Sequence, residues 1–253
     1  MGADHLETVS NPAAPGLRID AGPAPARRRP LSGTLAMPAA APHRIRVWDL
    51  PTRLFHWTLA ALVVGSFVTV KTGAMVWHER LGCAALALVL FRVAWGFAGG
   101  RYARFASFVR GPGAVLGYLR AAVPPSPGHN PLGALSVLGL LAVVGFQAGS
   151  GLFTNDDIAF EGPLAKHVSG ATSSLLTTLH RLNEKVIIAL VALHLAAILY
   201  YRFGKKKDLV GPMLGGDAAF DTPFPPSRDD AALRLRALVV AAACAAAVAW
   251  LVR

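Results

Sequence analysis

Long apolar segments separated by polar stretches dominate the pattern of this chain. A helix needs about 20 mostly apolar residues to span a bilayer, and five segments reach or approach that length: 54–70, 77–98, 132–153, 175–201 and 232–252. The fifth is rich in alanine and only just long enough. Asp49 and Pro51 precede the first segment as a helix cap and an early helical proline. The pattern predicts an all-α membrane protein, a four-helix transmembrane bundle with a fifth C-terminal transmembrane helix.

The polar stretches divide the chain into three parts. Residues 1–46 form a leader rich in Ala, Pro and Gly, which we expect to be disordered because it cannot bury a core. The bundle occupies 47–215, and 216–253 hold a linker and the fifth helix. Of the 253 residues, 54% are hydrophobic and 15% charged, against about 25% charged in soluble domains. This composition argues against a soluble enzyme and against a wholly disordered chain.

The charged residues are unevenly distributed, with 25 Lys and Arg against 14 Asp and Glu and a net charge of +11. In a membrane protein such an excess marks the cytoplasmic loops, so we expect no nucleic-acid partner. The basic residues collect on one side of the predicted bundle: Arg44, Arg46, Arg53, Arg101, Arg104, Arg110, Arg120, Arg202, Lys205, Lys206 and Lys207. That side is predicted to be cytoplasmic, which places the N-terminus in the cytoplasm.

Four histidines interrupt the apolar segments: His56, His78, His180 and His194. An ionisable side chain inside a membrane is costly and therefore suggests a function. By depth, His56 matches His194 near the cytoplasmic side, and His78 matches His180 near the opposite side. His180 and His194 lie just under four helical turns apart, so they share a face and are separated by about 21 Å along the axis.

Two facing imidazoles are the axial ligands of a six-coordinate b-type haem. The depth pairing therefore predicts two haem b groups, with the four histidines as the ligands of their iron atoms. Zinc fits less well, because neither level offers a third matching ligand. Two other interpretations stay open: each histidine is a polar residue hydrogen-bonded between helices, or the histidines carry protons or metal in a small transporter.

Three further residues are candidates for contacts with haem propionates. Arg92 returns to the depth of the inner histidine pair, where an anionic propionate would match its charge; an ordinary snorkelling arginine is the alternative. Arg53 lies three residues before His56 and is within reach of the same propionates. His129 opens the third segment, where it could cap that helix or contact a propionate or a quinone. We expect capping or propionate contact rather than iron binding.

Several stretches resemble the prokaryotic cytochrome b561 family, which includes the cytochrome b subunits of nickel–iron hydrogenases. They are 47–57 (VWDLPTRLFHW), 77–82 (WHERLG), 91–97 (FRVAWGF), 128–131 (GHNP), 179–180 (LH) and 192–194 (ALH). The resemblance covers about residues 44–215. It implies a four-helix bundle in the bacterial inner (plasma) membrane, with two b haems on His56, His78, His180 and His194.

The resemblance also implies an activity, electron transfer between the quinone pool and a redox partner. Expected partners are membrane lipid, quinone or quinol, and a c-type cytochrome or hydrogenase-like oxidoreductase subunit. A homodimer and a role as the cytochrome b anchor of a larger complex stay open. No nucleophile, catalytic triad or phosphate-binding loop is visible in the sequence, so any enzymatic activity would be quinol oxidoreduction.

Overall fold

The computed structural model describes Gly22, residues 42–120 and residues 127–253. Of the predicted leader, residues 1–46, the structure describes only Gly22 and residues 42–46. The rest of the segment for which disorder is predicted lies outside the described residues.

The described residues form five long helices, α1 (Leu50–Lys71), α2 (Met75–Ala98), α5 (Pro131–Gly151), α6 (Gly170–Leu199) and α8 (Ala231–Leu251). Three short helices connect them, α3 (Phe105–Phe108), α4 (Pro112–Leu119) and α7 (Val210–Gly215). A π-helical turn, Tyr200–Gly204, extends α6. The five long helices are each long and apolar enough to cross a membrane, which confirms the prediction of a helical multi-pass membrane protein.

Short polar side chains cap the starts of four long helices. Asp49 accepts a hydrogen bond from the Thr52 amide at 2.8 Å and begins α1, as predicted. Asn130, Ser169 and Asp230 cap α5, α6 and α8 in the same way. Each cap satisfies an amide that the first helical turn leaves free, so these local residues determine where each helix begins.

Helix α2 lies in the middle of the bundle and packs against α1, α5 and α8, while α5 packs against α6. Its Trp95 is fully buried, in a cluster with Phe91, Phe55 and Leu233 from α2, α1 and α8. Helix α8 is therefore part of the packed bundle. Large apolar side chains such as Phe97 point outwards, as expected where lipid rather than water is the surrounding solvent.

Two short strands close one end of the bundle. β1 (His43–Arg46) pairs antiparallel with β2 (Asp217–Phe220), and Arg46 reaches Asp217 at 2.8 Å and Asp229 at 3.1 Å. The structure thus differs from the expected leader at 43–46 and from the expected linker at 217–220, because each segment is ordered by a partner distant in sequence. We call this the strand end, and the opposite end, with the 152–169 connection, the loop end.

Candidate functional site

The four predicted histidines face one another in two pairs. His56 on α1 and His194 on α6 lie at the strand end with ring centroids 6.4 Å apart. His78 on α2 and His180 on α6 lie at the loop end with centroids 6.3 Å apart. The structure therefore brings together the residues that the depth argument paired.

The spacing within each pair fits a metal held between two imidazoles. Two metal–imidazole bonds of about 2 Å, each with about 1 Å more from the bonding nitrogen to the ring centre, put the two ring centroids about 6 Å apart. The observed separations of 6.4 and 6.3 Å match this spacing. Among the described residues, no group of three or more His, Cys, Asp or Glu side chains could hold a metal ion. The two-histidine sets therefore favour a metal whose remaining ligands come from a cofactor, such as a porphyrin.

Hydrogen bonds at the loop end orient the pair. His78 Nδ1 lies 2.9 Å from the Ser66 carbonyl oxygen, and because a carbonyl only accepts, Nδ1 carries the proton. In the neutral imidazole this tautomer leaves the other nitrogen, Nε2, free to bind a metal. His180 Nδ1 lies 3.2 Å from Ser150 Oγ. Gly151 leaves room for the His180 ring, since a Cβ there would approach His180 Cε1 to 3.0 Å.

The strand end carries an unusual group of buried polar atoms. In the described part of the chain, the buried side-chain atoms without a hydrogen-bond partner are Thr52 Oγ1, Arg53 Nε, His56 Nδ1, Arg92 Nη1, His129 Nδ1 and Ser227 Oγ. All six lie at the strand end. Buried polar atoms are rarely left unpaired, so their concentration here marks a place suited to a polar ligand group.

Arg92 is the strongest member of this group. Arg92 is only 2% exposed, and its guanidinium carbon lies 5.1 Å from the centre of the Phe105 ring. The neighbouring Asp49 carboxylate is occupied by the amides of Thr52 and Gly100 and by the Trp95 indole. A buried guanidinium without a paired anion is costly, so the site fits an anionic group and does not fit a snorkelling arginine.

His129 does not cap α5, contrary to one of the two expectations for it. Asn130 caps the helix instead, by accepting a hydrogen bond from the Gly133 amide at 2.7 Å. His129 lies between the Trp48 and Phe108 rings, each with its centroid 4.7 Å away. Burial, reinforced by the charge of Arg92, lowers the pKa of His129 to about 3. The ring is therefore neutral at pH 7 and can still donate one hydrogen bond.

Arg53 is only partly available for the role predicted for it. One terminal nitrogen donates to the Leu214 carbonyl, and the other lies 3.8 Å from Asp229 Oδ2. Residues 214–229, which we call the C-terminal segment, thus contact both terminal nitrogens of the Arg53 guanidinium, while Nε has no partner. Arg53 ties the start of α1 to this segment.

Sequence reasoning missed the residues that support the histidines. Ser66 and Ser150 lie in apolar segments, and matching their depth to that of His78 and His180 would have identified them. For Asp49 the sequence predicts only a capping role, because its contacts with Trp95 and Gly100 cross about fifty residues of chain. No local pattern reveals such contacts.

A helical membrane bundle with facing histidine pairs defines the class of membrane b-type cytochromes. Residues 47–216 match the family described as prokaryotic cytochrome b561. The chain belongs to this family, which confirms the resemblance and identifies a membrane b-type cytochrome that binds haem and transfers electrons. No curated protein and no solved structure matches the chain.

Proposed function

We propose that this protein is a dihaem cytochrome that carries electrons across the bacterial inner membrane, between the quinone pool and a redox protein. His78 and His180 hold one haem b, and His56 and His194 hold the other. The two facing pairs, with ring centroids 6.3 and 6.4 Å apart, carry this proposal.

A haem b with two imidazole ligands supplies one-electron chemistry by alternating between ferric and ferrous iron. The protein's contribution is to orient and tune its ligands. The Ser66 carbonyl fixes the tautomer and rotation of His78 and increases the basicity of its free nitrogen. At the strand end, Arg92 Nη1, a donor, and His129 Nδ1, a donor in one of the two neutral tautomers, are buried without protein partners. Propionate oxygens would accept their hydrogen bonds, and the Arg92 charge would favour the propionate anion.

The positions of the pairs support transport across the membrane. His180 and His194 stand about 21 Å apart along α6, within an apolar layer about 30 Å thick. The basic loops lie at the strand end, and the positive-inside rule places this end in the cytoplasm. The redox partner would be a c-type cytochrome or an oxidoreductase subunit, with quinol or quinone as the small-molecule substrate.

Replacing one histidine tests the assignment of ligands. We expect His194→Ala to reduce the haem content from two to one per chain and to leave the loop-end haem spectroscopically intact. His180→Ala should have the reciprocal effect. His167→Ala is a matched control, because His167 is exposed outside the long helices, and should retain both haems. Retention of both haems in His194→Ala would overturn the pairing.

Reduction by quinol tests the proposed substrate. The purified protein, mixed with a soluble quinol in the absence of oxygen, should show the b-type α band of reduced haem. If dithionite reduces the haems but neither ubiquinol nor menaquinol analogues do so, the proposed link to the quinone pool is wrong even if both haems are present.

A further inference from the structure

A basic cavity lies at the strand end, between the end of α2 and the start of α8. Its volume is about 270 Å³. Four arginines line it, from the 99–104 segment and from α8 and the residues just before it: Arg101, Arg104, Arg228 and Arg236. None of the described residues that line it is acidic. The cavity therefore concentrates positive charge where two membrane helices meet.

Nearby anions compensate only part of this charge. The buried Asp49 carboxylate lies behind the lining residue Gly100, but it already accepts hydrogen bonds from Thr52, Trp95 and Gly100. Arg228 pairs with the Asp230 carboxylate at 2.8 Å, and both side chains are largely exposed. Arg236 makes only a long contact, 3.5 Å, to the Ala98 carbonyl oxygen. Arg101 and Arg104 form no ion pair within the described part of the chain. The carbonyl end of α2 attracts cations, which explains how arginines can gather there without carboxylates.

An apolar surface borders the cavity. Phe97 lines it and is 73% exposed. Val93, one turn earlier on α2, is 43% exposed, and Val239, three residues after Arg236 and on the same side of α8, is 63% exposed. These side chains belong to helices that would face hydrocarbon. A ligand seated among the arginines would therefore meet a lipid-facing surface on one side.

We propose that this cavity binds the phosphate headgroup of an anionic phospholipid, with the acyl chains lying against the exposed apolar side chains of α2 and α8. Guanidinium groups suit a phosphodiester because they donate paired, charge-assisted hydrogen bonds, and basic pockets between transmembrane helices recognise anionic headgroups. Free phosphate has the same anionic chemistry but makes no use of the apolar surface. The bound lipid would join α8 to α2, independently of haem binding.

Lipid-dependent stability and native mass spectrometry of the purified holoprotein test this proposal. Phosphatidylglycerol should remain bound as a one-to-one adduct and raise the Tm. Phosphatidylcholine with the same acyl chains, and inorganic phosphate at the same concentration, should do neither. Equal stabilisation by phosphatidylcholine would overturn the proposal. The full effect with inorganic phosphate alone would also overturn it, because the cavity would then be a simple anion site.

Charge-neutral variants locate the site. The triple variant Arg101→Gln, Arg104→Gln and Arg236→Gln should weaken phosphatidylglycerol binding by at least about tenfold, since charge-assisted hydrogen bonds are lost. The matched control, Arg44→Gln, Arg110→Gln and Arg120→Gln, removes equal charge from exposed positions outside the cavity and should bind normally. Wild-type affinity in the first variant would contradict the proposal. If that variant does not fold, the comparison of headgroups with the wild-type protein still decides.

Discussion

The buried carboxylate of Asp49 provides a prediction whose size can be worked out from its contacts. Asp49 is 1% exposed. Besides capping α1 through the Thr52 amide at 2.8 Å, it accepts hydrogen bonds from the Trp95 indole at 3.3 Å and the Gly100 amide at 3.0 Å. It therefore connects the start of α1 to the end of α2, beside the buried Arg92. We expect Asp49→Ala to destabilise the bundle strongly.

The contributions can be added. Loss of a helix cap costs about 1 kcal/mol, and each buried donor left without an acceptor costs about 1–3 kcal/mol. The cap and the two additional donors together predict a loss of about 3–7 kcal/mol. For a domain of this size, 1 kcal/mol shifts the Tm by about 2–4 °C. The Tm of Asp49→Ala should therefore fall by at least about 6 °C.

Thermal unfolding of the detergent-solubilised holoprotein, followed by circular dichroism, measures this loss. The control is Asp230→Ala, since Asp230 also caps a long helix, through the Leu233 amide, but is exposed, and its ion pair with Arg228 lies at the surface. The control should lower the Tm much less. Asp49→Asn should fall between them, because Asn keeps one acceptor. Equal losses in Asp49→Ala and Asp230→Ala would refute the assignment of the extra stability to the buried contacts.

Three further predictions concern the strand end. In Gly96→Ala the new methyl group would collide with the Phe105 ring. The free energy of unfolding should therefore fall by about 1–3 kcal/mol, and the Tm should fall with it. An unchanged Tm would contradict the close packing of Phe105 on Gly96. Asp229→Asn should loosen the C-terminal segment, because this carboxylate holds three arginines. Limited proteolysis between β2 and α8 should then be faster than in the wild type. Burial and the Tyr201 hydroxyl raise the pKa of Tyr118 to about 12, so stability should decline as the pH rises from about 10 to 12, and Tyr118→Phe should remove this decline.

The helices and the histidine pairs were accessible from the sequence because their signals are local or periodic. A membrane span needs a minimum apolar length, and Asp49 with Pro51 marks the start of α1. Depth along a nearly straight helix follows from residue number, so His180 and His194 could be matched to partners on other helices without knowledge of the packing.

The β1–β2 pair and the position of His129 at the strand end could not be predicted from the sequence in the same way. β1 and β2 are four residues each, are separated by most of the chain, and lack a strong alternating pattern. His129 occupies a slot between Trp48 and Phe108, which come from different regions of the chain. Its neighbour Asn130 forms the cap because a short amide reaches the first turn better than a ring held between aromatics. Such outcomes depend on tertiary packing.

Haem stoichiometry and ligation test the central claim most directly. We predict that the purified protein contains two haem b groups per chain, extractable because they are not covalently attached, and that its oxidised electron paramagnetic resonance spectrum shows two low-spin species with two imidazole ligands each. A single haem, a high-spin spectrum with an open coordination position, or no haem would contradict the account.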